Sequence, residues 1–314
     1  MIKSKLKIGL LKDNQGKGIW QYSAYLSPLP DEFKLSLGEG GTAEVALGEG
    51  LTLKREDENP NGSLKDRGMA YLVSWAKSLG KKEVVLSSSG NAAVAASQYC
   101  RLAGIDLHVF VSPKINEGKL AQLRKAGVVI SSSDRPVSEA VKFSRRKGVL
   151  NLRPSRNKFG PEGYQTIAFE LAESEGAVED IFIPVSSGVA LVGMAEGFKK
   201  IGFLPRLHVC QPAAVCPIAS LFTKNFQPEE ASLSEALVAK YTPLRQKVAG
   251  LVRESGGTGW VISNQEVKEA QEDLGKKEII TSAEGALAYA AWKKAKTGGW
   301  PVGKAVCLLT GKKY

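Results

Sequence analysis

Histidine is almost absent from this chain, and with it the patterns that would support metal or triad chemistry. Two histidines occur in 314 residues. His108 and His208 each lie inside an apolar run, "DLHVFV" and "RLHVC", that reads as a strand, so a zinc site or a Ser-His-Asp triad has little to build on. The four cysteines, Cys100, Cys210, Cys216 and Cys307, form no CxxC pair and no metal-ligand spacing. Among apolar and small neighbours they read as buried reduced thiols, and no metal is expected. No run of about 18 apolar residues occurs, which excludes a transmembrane helix. The apolar run near the N-terminus, "GLL", is too short for a signal sequence, so a cytoplasmic protein with no membrane partner is expected. Internal repeats, low-complexity segments and interleaved basic and aromatic residues are missing too.

What is present is an ordinary globular composition, 43% hydrophobic and 24% charged, on a chain long enough for two medium domains. The formal net charge is +11, spread along the chain with short clusters such as "KFSRRKG" and "GKKY". With no nucleic-acid module in sight, a small anionic substrate accounts for that charge at least as well as nucleic acid does.

Six β-rich runs end in small or turn residues and are followed by helical patterns. They are residues 83–90, 106–113, 127–133, 180–188, 206–212 and 305–311. "NAAVAASQYCRLAG" and "GKLAQLRKAG" show the helical period between them. Such alternation predicts an α/β fold of open, largely parallel twisted sheets flanked by helices. Ligands in such sheets bind beyond the carboxyl ends of strands, where these Ser/Gly turns fall. Residues 224–260 are polar, loop-like and the least readable.

"NPNGSLKDRGMA", residues 59–70, sets a lysine at a helix start. Ser63 and Asp66 have the S-x-x-D spacing of a capped first turn, and Leu64, Gly68, Tyr71, Leu72 and Trp75 fall on one face. Lys65 would then meet the positive end of the helix dipole, which lowers an amine's pKa and prepares it to attack a carbonyl. Spacing alone also fits a solvated surface lysine. "SSSGNAA" (87–93) and "SSGVALVGMAEGFKK" (186–200) add two further strand-to-helix turns whose amide groups suit anions, phosphate especially.

Taken together, these motifs resemble the fold-type II pyridoxal-phosphate enzymes, the tryptophan synthase β-subunit superfamily, and within it most closely the threonine synthases. "LGEGGTAEVAL" (37–47) is similar to that family's "LGEGxTPL", and "NPNGSLKDRG" (59–68) to its "NPTGSFKDRG". "SSSGNAAVAAS" resembles "ASTGNTAAS", and "EGYQTIAFEL" (162–171) resembles "EGQKTxAFEI". "ESGG" (254–257), "VISNQEVKEAQ" (261–271), "EGALA" (284–288) and "CLLTG" follow the family's C-terminal order, so the resemblance runs from roughly 37 to 311.

The resemblance implies pyridoxal 5'-phosphate as cofactor, with Lys65 as its Schiff-base lysine. It places Asn91 on the cofactor's 3′ oxygen, Ser186, Ser187, Gly188, Val189 and Ala190 on its phosphate, and Thr310 on the pyridine nitrogen. Ser88, Ser89, Lys119, Ser155 and Arg156 would bind substrate, the last two from "NPxR" and Lys119 from "GKVAQ". The implied reaction turns O-phospho-L-homoserine and water into L-threonine and phosphate. The implied layout is a large cofactor domain over 1–65 and 166–314 and a small mobile domain over 66–165, with a homodimer as the expected assembly. Three positions depart from the family: Ala92 replaces the threonine of "GNT", the phosphate loop "SSGVA" has a single glycine, and Arg153 stands where the family has asparagine. A serine/threonine ammonia-lyase, a cysteine or cysteate synthase, and a non-catalytic binding relative therefore remain open.

Overall fold

The computed structural model describes residues 10–174 and 177–312, which divide into two compact units. The strands are β1 (Glu44–Gly48), β2 (Leu51–Lys54), β3 (Glu83–Ser87), β4 (Asp106–Val111), β5 (Val129–Ser132), β6 (Leu150–Asn151), β7 (Asp180–Pro184), β8 (Arg206–Pro212), β9 (Gly259–Ile262) and β10 (Ala305–Leu308). The α-helices are α1 (Lys65–Ser78), α2 (Asn91–Ala103), α3 (Glu117–Lys125), α4 (Pro136–Phe143), α5 (Gln165–Glu173), α6 (Val189–Lys200), α7 (Arg245–Glu254), α8 (Asn264–Gly275) and α9 (Ala283–Thr297).

The first unit contains Gly41–Glu58 and the chain from Tyr164 onward. Its sheet has the order β1-β2-β10-β7-β8-β9, parallel throughout except for the β1–β2 hairpin. β7 and β10 are buried at every position, as strands covered on both faces must be, and apart from Asp180 at the start of β7 they read as apolar runs. Helix α9 packs on β7, β8, β9 and β10, and its alanines join Leu53, Phe182 and Cys307 in one core. α5 and α6 approach closely at Gly197, where a Cβ would stand 2.6 Å from the Gln165 carbonyl oxygen. Only glycine permits that approach.

The second unit contains Lys12–Gly40 and Asn59–Gly163, around a parallel sheet of order β5-β4-β3-β6. These bounds differ from the expected 66–165, because residues 12–40 pack against α1. The Trp20 indole N–H donates to the Leu35 carbonyl, Leu35 N–H donates to the Ser74 hydroxyl, and Tyr71 donates to the Ser27 carbonyl.

Helix α1 also differs from expectation. It is buried around nearly its whole circumference, from Asp66 to Ser74 and at Ala76, not on one face. Its N-cap is Leu64 with no side-chain cap, because the Asp66 carboxylate turns back to accept from Asn61 N–H and Nδ2 at 2.7 Å each. Ser63 instead accepts from the Lys65 N–H at 3.4 Å. Within residues 224–260, α7 and the start of β9 form where the sequence looked irregular. Among the described residues no helix is long and apolar enough to cross a membrane, and no cluster of three or more His, Cys, Asp and Glu could hold a metal.

Candidate active site

In the second unit, parallel pairing sets the carboxyl ends of β4, β3 and β6 side by side. β3 leads into Ser88, Ser89 and Gly90, and α2 opens at Asn91. The loop is internally bonded: Ser88 Oγ accepts from Gly90 N–H, and Ser89 Oγ accepts from Ser112 N–H after β4. Those acceptances leave both hydroxyl protons free to donate outward. The Asn91 Oδ1 atom is buried without a hydrogen-bond partner, a costly condition that a ligand would relieve.

After β4, Asn116 caps α3 by accepting from the Lys119 N–H, and the Lys119 side chain is largely buried. After β6, a 3-10 turn over Pro154–Arg156 buries Ser155 and leaves Arg156 exposed. One sheet edge thus gathers Ser88, Ser89, Asn91, Lys119, Ser155 and Arg156. Lys65 is the first residue of α1, which packs alongside α2. Burial pushes its amine down to about 8, although the residue keeps some solvent contact. Desolvation by burial is the cause of the lowered value.

In the first unit, β7 and β10 are neighbours, so the loop after β7 and Thr310 after β10 lie at the same carboxyl edge. Val185, Ser186 and Ser187 lead to Gly188, whose φ of 88° is left-handed and opens α6. A Cβ there would stand 2.4 Å from Val248 Cγ2. A single glycine therefore serves a loop that looked glycine-poor, since the left-handed turn falls on that residue. α6 has no side-chain cap, so the amides of Val189 and Ala190 face the start of a helix that favours anions. Thr310 is largely buried.

Two supports of this loop were not read from the sequence. The Thr242 hydroxyl donates to the Ser187 carbonyl at 2.6 Å, and Gln211 Nε2 donates to the Val185 carbonyl at 2.9 Å. Gln211 Oε1 in turn accepts from Ile218 and Ala219 N–H. Neither residue belongs to a local motif, and neither partner is near in sequence.

The histidines do different work. His208 is buried, its Nε2 2.9 Å from Asp180 Oδ1, and its Nδ1 accepts from the Trp260 indole at 3.2 Å. Burial alone would raise the Asp180 pKa, but Arg206, His208 and the Gly303 N–H outweigh it and hold the carboxyl well below its usual range. Asp180 opens β7, so this network sits at the sheet's amino edge, away from the loops above. His108 is partly exposed, bonded to the Ser131 hydroxyl and stacked on Phe110.

Residues 36–311 match the family described as "Pyridoxal-phosphate dependent enzyme". The chain belongs to the pyridoxal-phosphate-dependent enzymes. It is 30% identical to the threonine synthase of Methanosarcina acetivorans, over 98% of this chain and 83% of the relative. It is 31% identical to the threonine synthase of Methanocaldococcus jannaschii, over 94% and 80%. The solved structure of maize serine racemase superposes with a TM-score of 0.73 at 21% identity, covering 84% of this chain and 83% of the other, which shows a shared fold. The protein is thus a fold-type II enzyme of the lyase kind with pyridoxal 5'-phosphate as cofactor. The residues present fit that group: a buried amine with a lowered pKa and an uncapped helix start at Gly188.

Proposed function

We propose that the protein acts as a threonine synthase, converting O-phospho-L-homoserine and water to L-threonine and phosphate. The observation that carries this reading is the grouping of Lys119, Arg156, Ser88, Ser89 and Ser155 on one edge of the second unit's sheet. Cations and hydroxyl donors in such a set suit a phosphate dianion. The sequence relatives are named threonine synthases, which supports threonine as the product.

Lys65 would hold pyridoxal phosphate covalently, Asn91 would contact its ring oxygen, and the amides of residues 186–190 its phosphate. Thr310 would meet the ring nitrogen with a neutral hydroxyl in place of a carboxylate. When bound, the cofactor supplies the electron sink that makes carbanion chemistry at the substrate Cα accessible. The Lys65 amine would serve as the base. Burial lowers its pKa to about 8 in the cofactor-free protein, which favours the neutral, basic form near neutral pH. Lys65 would take a proton first from Cα and then from Cβ, and the Cβ–H electron pair would form the Cβ–Cγ double bond as the Cγ–O bond breaks with its own pair leaving on phosphate. A proton delivered to Cγ would complete the methyl group, water would add its oxygen at Cβ, and a proton returned to Cα would finish threonine. Lys119, Arg156 and the serine hydroxyls would orient that phosphate and stabilise it as it leaves.

A second reading rests on Ala92, which supplies no hydroxyl in the first turn of α2. It is a serine/threonine ammonia-lyase or a β-replacing synthase on the same scaffold. The four unpaired thiols fit a reducing, cytoplasmic setting for either reading. The test is an assay of purified protein for phosphate release from O-phosphohomoserine, with O-acetylserine, serine and threonine in parallel. Fastest turnover of the phosphorylated substrate is expected; faster turnover of any of the others transfers the assignment to the second reading.

A further inference from the structure

The loop after β6 carries a second guanidinium beside Arg156. Arg153 is half-buried, its backbone N–H donates to Asn151 Oδ1 at 3.0 Å, and its Nε donates to Ser155 Oγ at 3.3 Å. Among the described residues no carboxylate pairs with Arg153 or Arg156. Glu162, the acidic residue of this stretch, spends both oxygens on the Ser27 N–H and hydroxyl. Burial first, and then the charge of Arg156, hold the Arg153 guanidinium below its usual pKa. Two guanidiniums set together with one of them half-desolvated and no counter-charge are unfavourable until an anion arrives.

The loop is also held in shape. Phe159 packs on Trp75 and Tyr71 of α1 at 5.0 and 5.9 Å between ring centroids. The Phe159 N–H donates to Asn157 Oδ1, and the Gly160 N–H to the Asn157 carbonyl. The surrounding field has one sign: residues 59–163 hold 18 Lys and Arg against 7 Asp and Glu, whereas residues 164–312 hold 16 of each. The charge of the protein is therefore concentrated in the unit that carries this loop, where it draws in an anionic ligand.

We propose that Arg153 and Arg156 form a two-arginine site for a dianionic phosphate group. Arg153 is an added specificity residue of this chain, a second guanidinium where the family has an asparagine, which strengthens the preference for a phosphate monoester over substrates whose leaving group is neutral or singly charged. This rests on the threonine synthase reading for the identity of the substrate. The guanidinium nitrogens that Arg153 does not spend on Ser155 supply the donors, and a planar fork suits two phosphate oxygens.

The test is calorimetric titration of the holoenzyme with inorganic phosphate, for wild type and Arg153→Asn, with steady-state kinetics on O-phosphohomoserine. Arg153→Asn should weaken phosphate binding about ten- to a hundredfold. It should raise KM for the phosphorylated substrate by a similar factor while kcat and the thermal midpoint change less. Should that variant fail to fold, Arg153→Gln keeps the polar stem and is expected to show the same loss. Unchanged phosphate affinity in the folded variant overturns the proposal, as does a wild type that binds no phosphate. Wild type that binds phosphate through Arg153 but releases none from O-phosphohomoserine leaves the site standing and removes the threonine synthase reading. Turnover of that substrate, with phosphate affinity indifferent to Arg153, does the reverse.

Discussion

The Thr242 hydroxyl donates to the Ser187 carbonyl over 2.6 Å, tying the loop after β7 to a residue 55 positions further along the chain. That carbonyl directly precedes Gly188 and the open amides of α6. Thr242 is buried and, on the proposed assignment of residues 186–190 to the cofactor phosphate, would act only through the loop it holds, as a positioning residue. Thr242→Val removes the donor at constant shape, and a neutral hydrogen bond is worth about 0.5–1.5 kcal/mol. Affinity for pyridoxal phosphate, read by titration of cofactor-free protein, should fall about two- to tenfold, and Thr242→Ser should restore it. Equal affinity in all three proteins would separate Thr242 from the loop's function.

Gly188 makes a sharper demand on the same loop. Its φ of 88° and the 2.4 Å separation that an added methyl would have from Val248 Cγ2 both oppose Gly188→Ala. The variant should lose at least about 1 kcal/mol of stability and most of its cofactor affinity. Adding Val248→Ala relieves the clash but not the backbone strain, so denaturant melts should show partial recovery. Full recovery would mean that the left-handed conformation is not needed.

Lys65 ties stability to pH. Burial lowers its folded pKa to about 8 from an unfolded value near 10.5, so the unfolded chain holds the proton more tightly between those limits. Stability of cofactor-free protein should rise with pH across that window, and below it the buried ammonium is a standing cost. Lys65→Met should therefore melt higher than wild type at pH 7, with the gap closing toward pH 10.5. A gap independent of pH would show that the amine is not desolvated. The same variant should take up cofactor without forming a borohydride-reducible bond.

Asp180 tests the amino edge of the first sheet. It accepts from Arg206, His208 and the Gly303 N–H, joining β7, β8 and the entry to β10. Asp180→Ala leaves Arg206 and a buried imidazole without their acceptor and should cost about 3–5 kcal/mol. Because the folded carboxyl pKa is depressed, the wild type's advantage should persist at neutral pH and shrink as acid protonates Asp180. Turnover per folded molecule should stay near wild type, since this network lies at the opposite edge of its sheet from residues 186–190 and Thr310, which are proposed to hold the cofactor.

Much of the architecture was legible because fully buried parallel strands leave plain marks. "AVCL" is apolar end to end and "DIFIP" is apolar after its opening aspartate, and each is followed by the turn that carries candidate ligands. Short or half-exposed elements were not legible. β1 alternates between exposed and half-buried positions, β6 has two residues, and α7 hides its apolar stripe among arginines, a lysine and a glutamate. The local rule failed at Asp66, whose spacing fits a cap but whose carboxylate finds two donors on Asn61. Thr242 and Gln211 left no signal at all, because their partners are set by tertiary packing and not by neighbours in sequence. Arg153 was visible as a departure from the family, but its missing counter-charge appeared only in three dimensions.

Atom bookkeeping supplies the most direct test of the proposed reaction. Conversion of O-phosphohomoserine to threonine removes one hydrogen from Cβ, adds one at Cγ and exchanges one at Cα, with the Lys65 amine as the proposed proton carrier. The measurement is the reaction of purified holoenzyme with O-phospho-L-homoserine in deuterated water, followed by phosphorus and proton magnetic resonance. The expected result is phosphate and threonine in equal amounts, with deuterium at Cα and in the methyl group, and neither product from Lys65→Met. Release of 2-oxobutanoate and ammonia in place of threonine, or threonine formed equally well without Lys65, would contradict it.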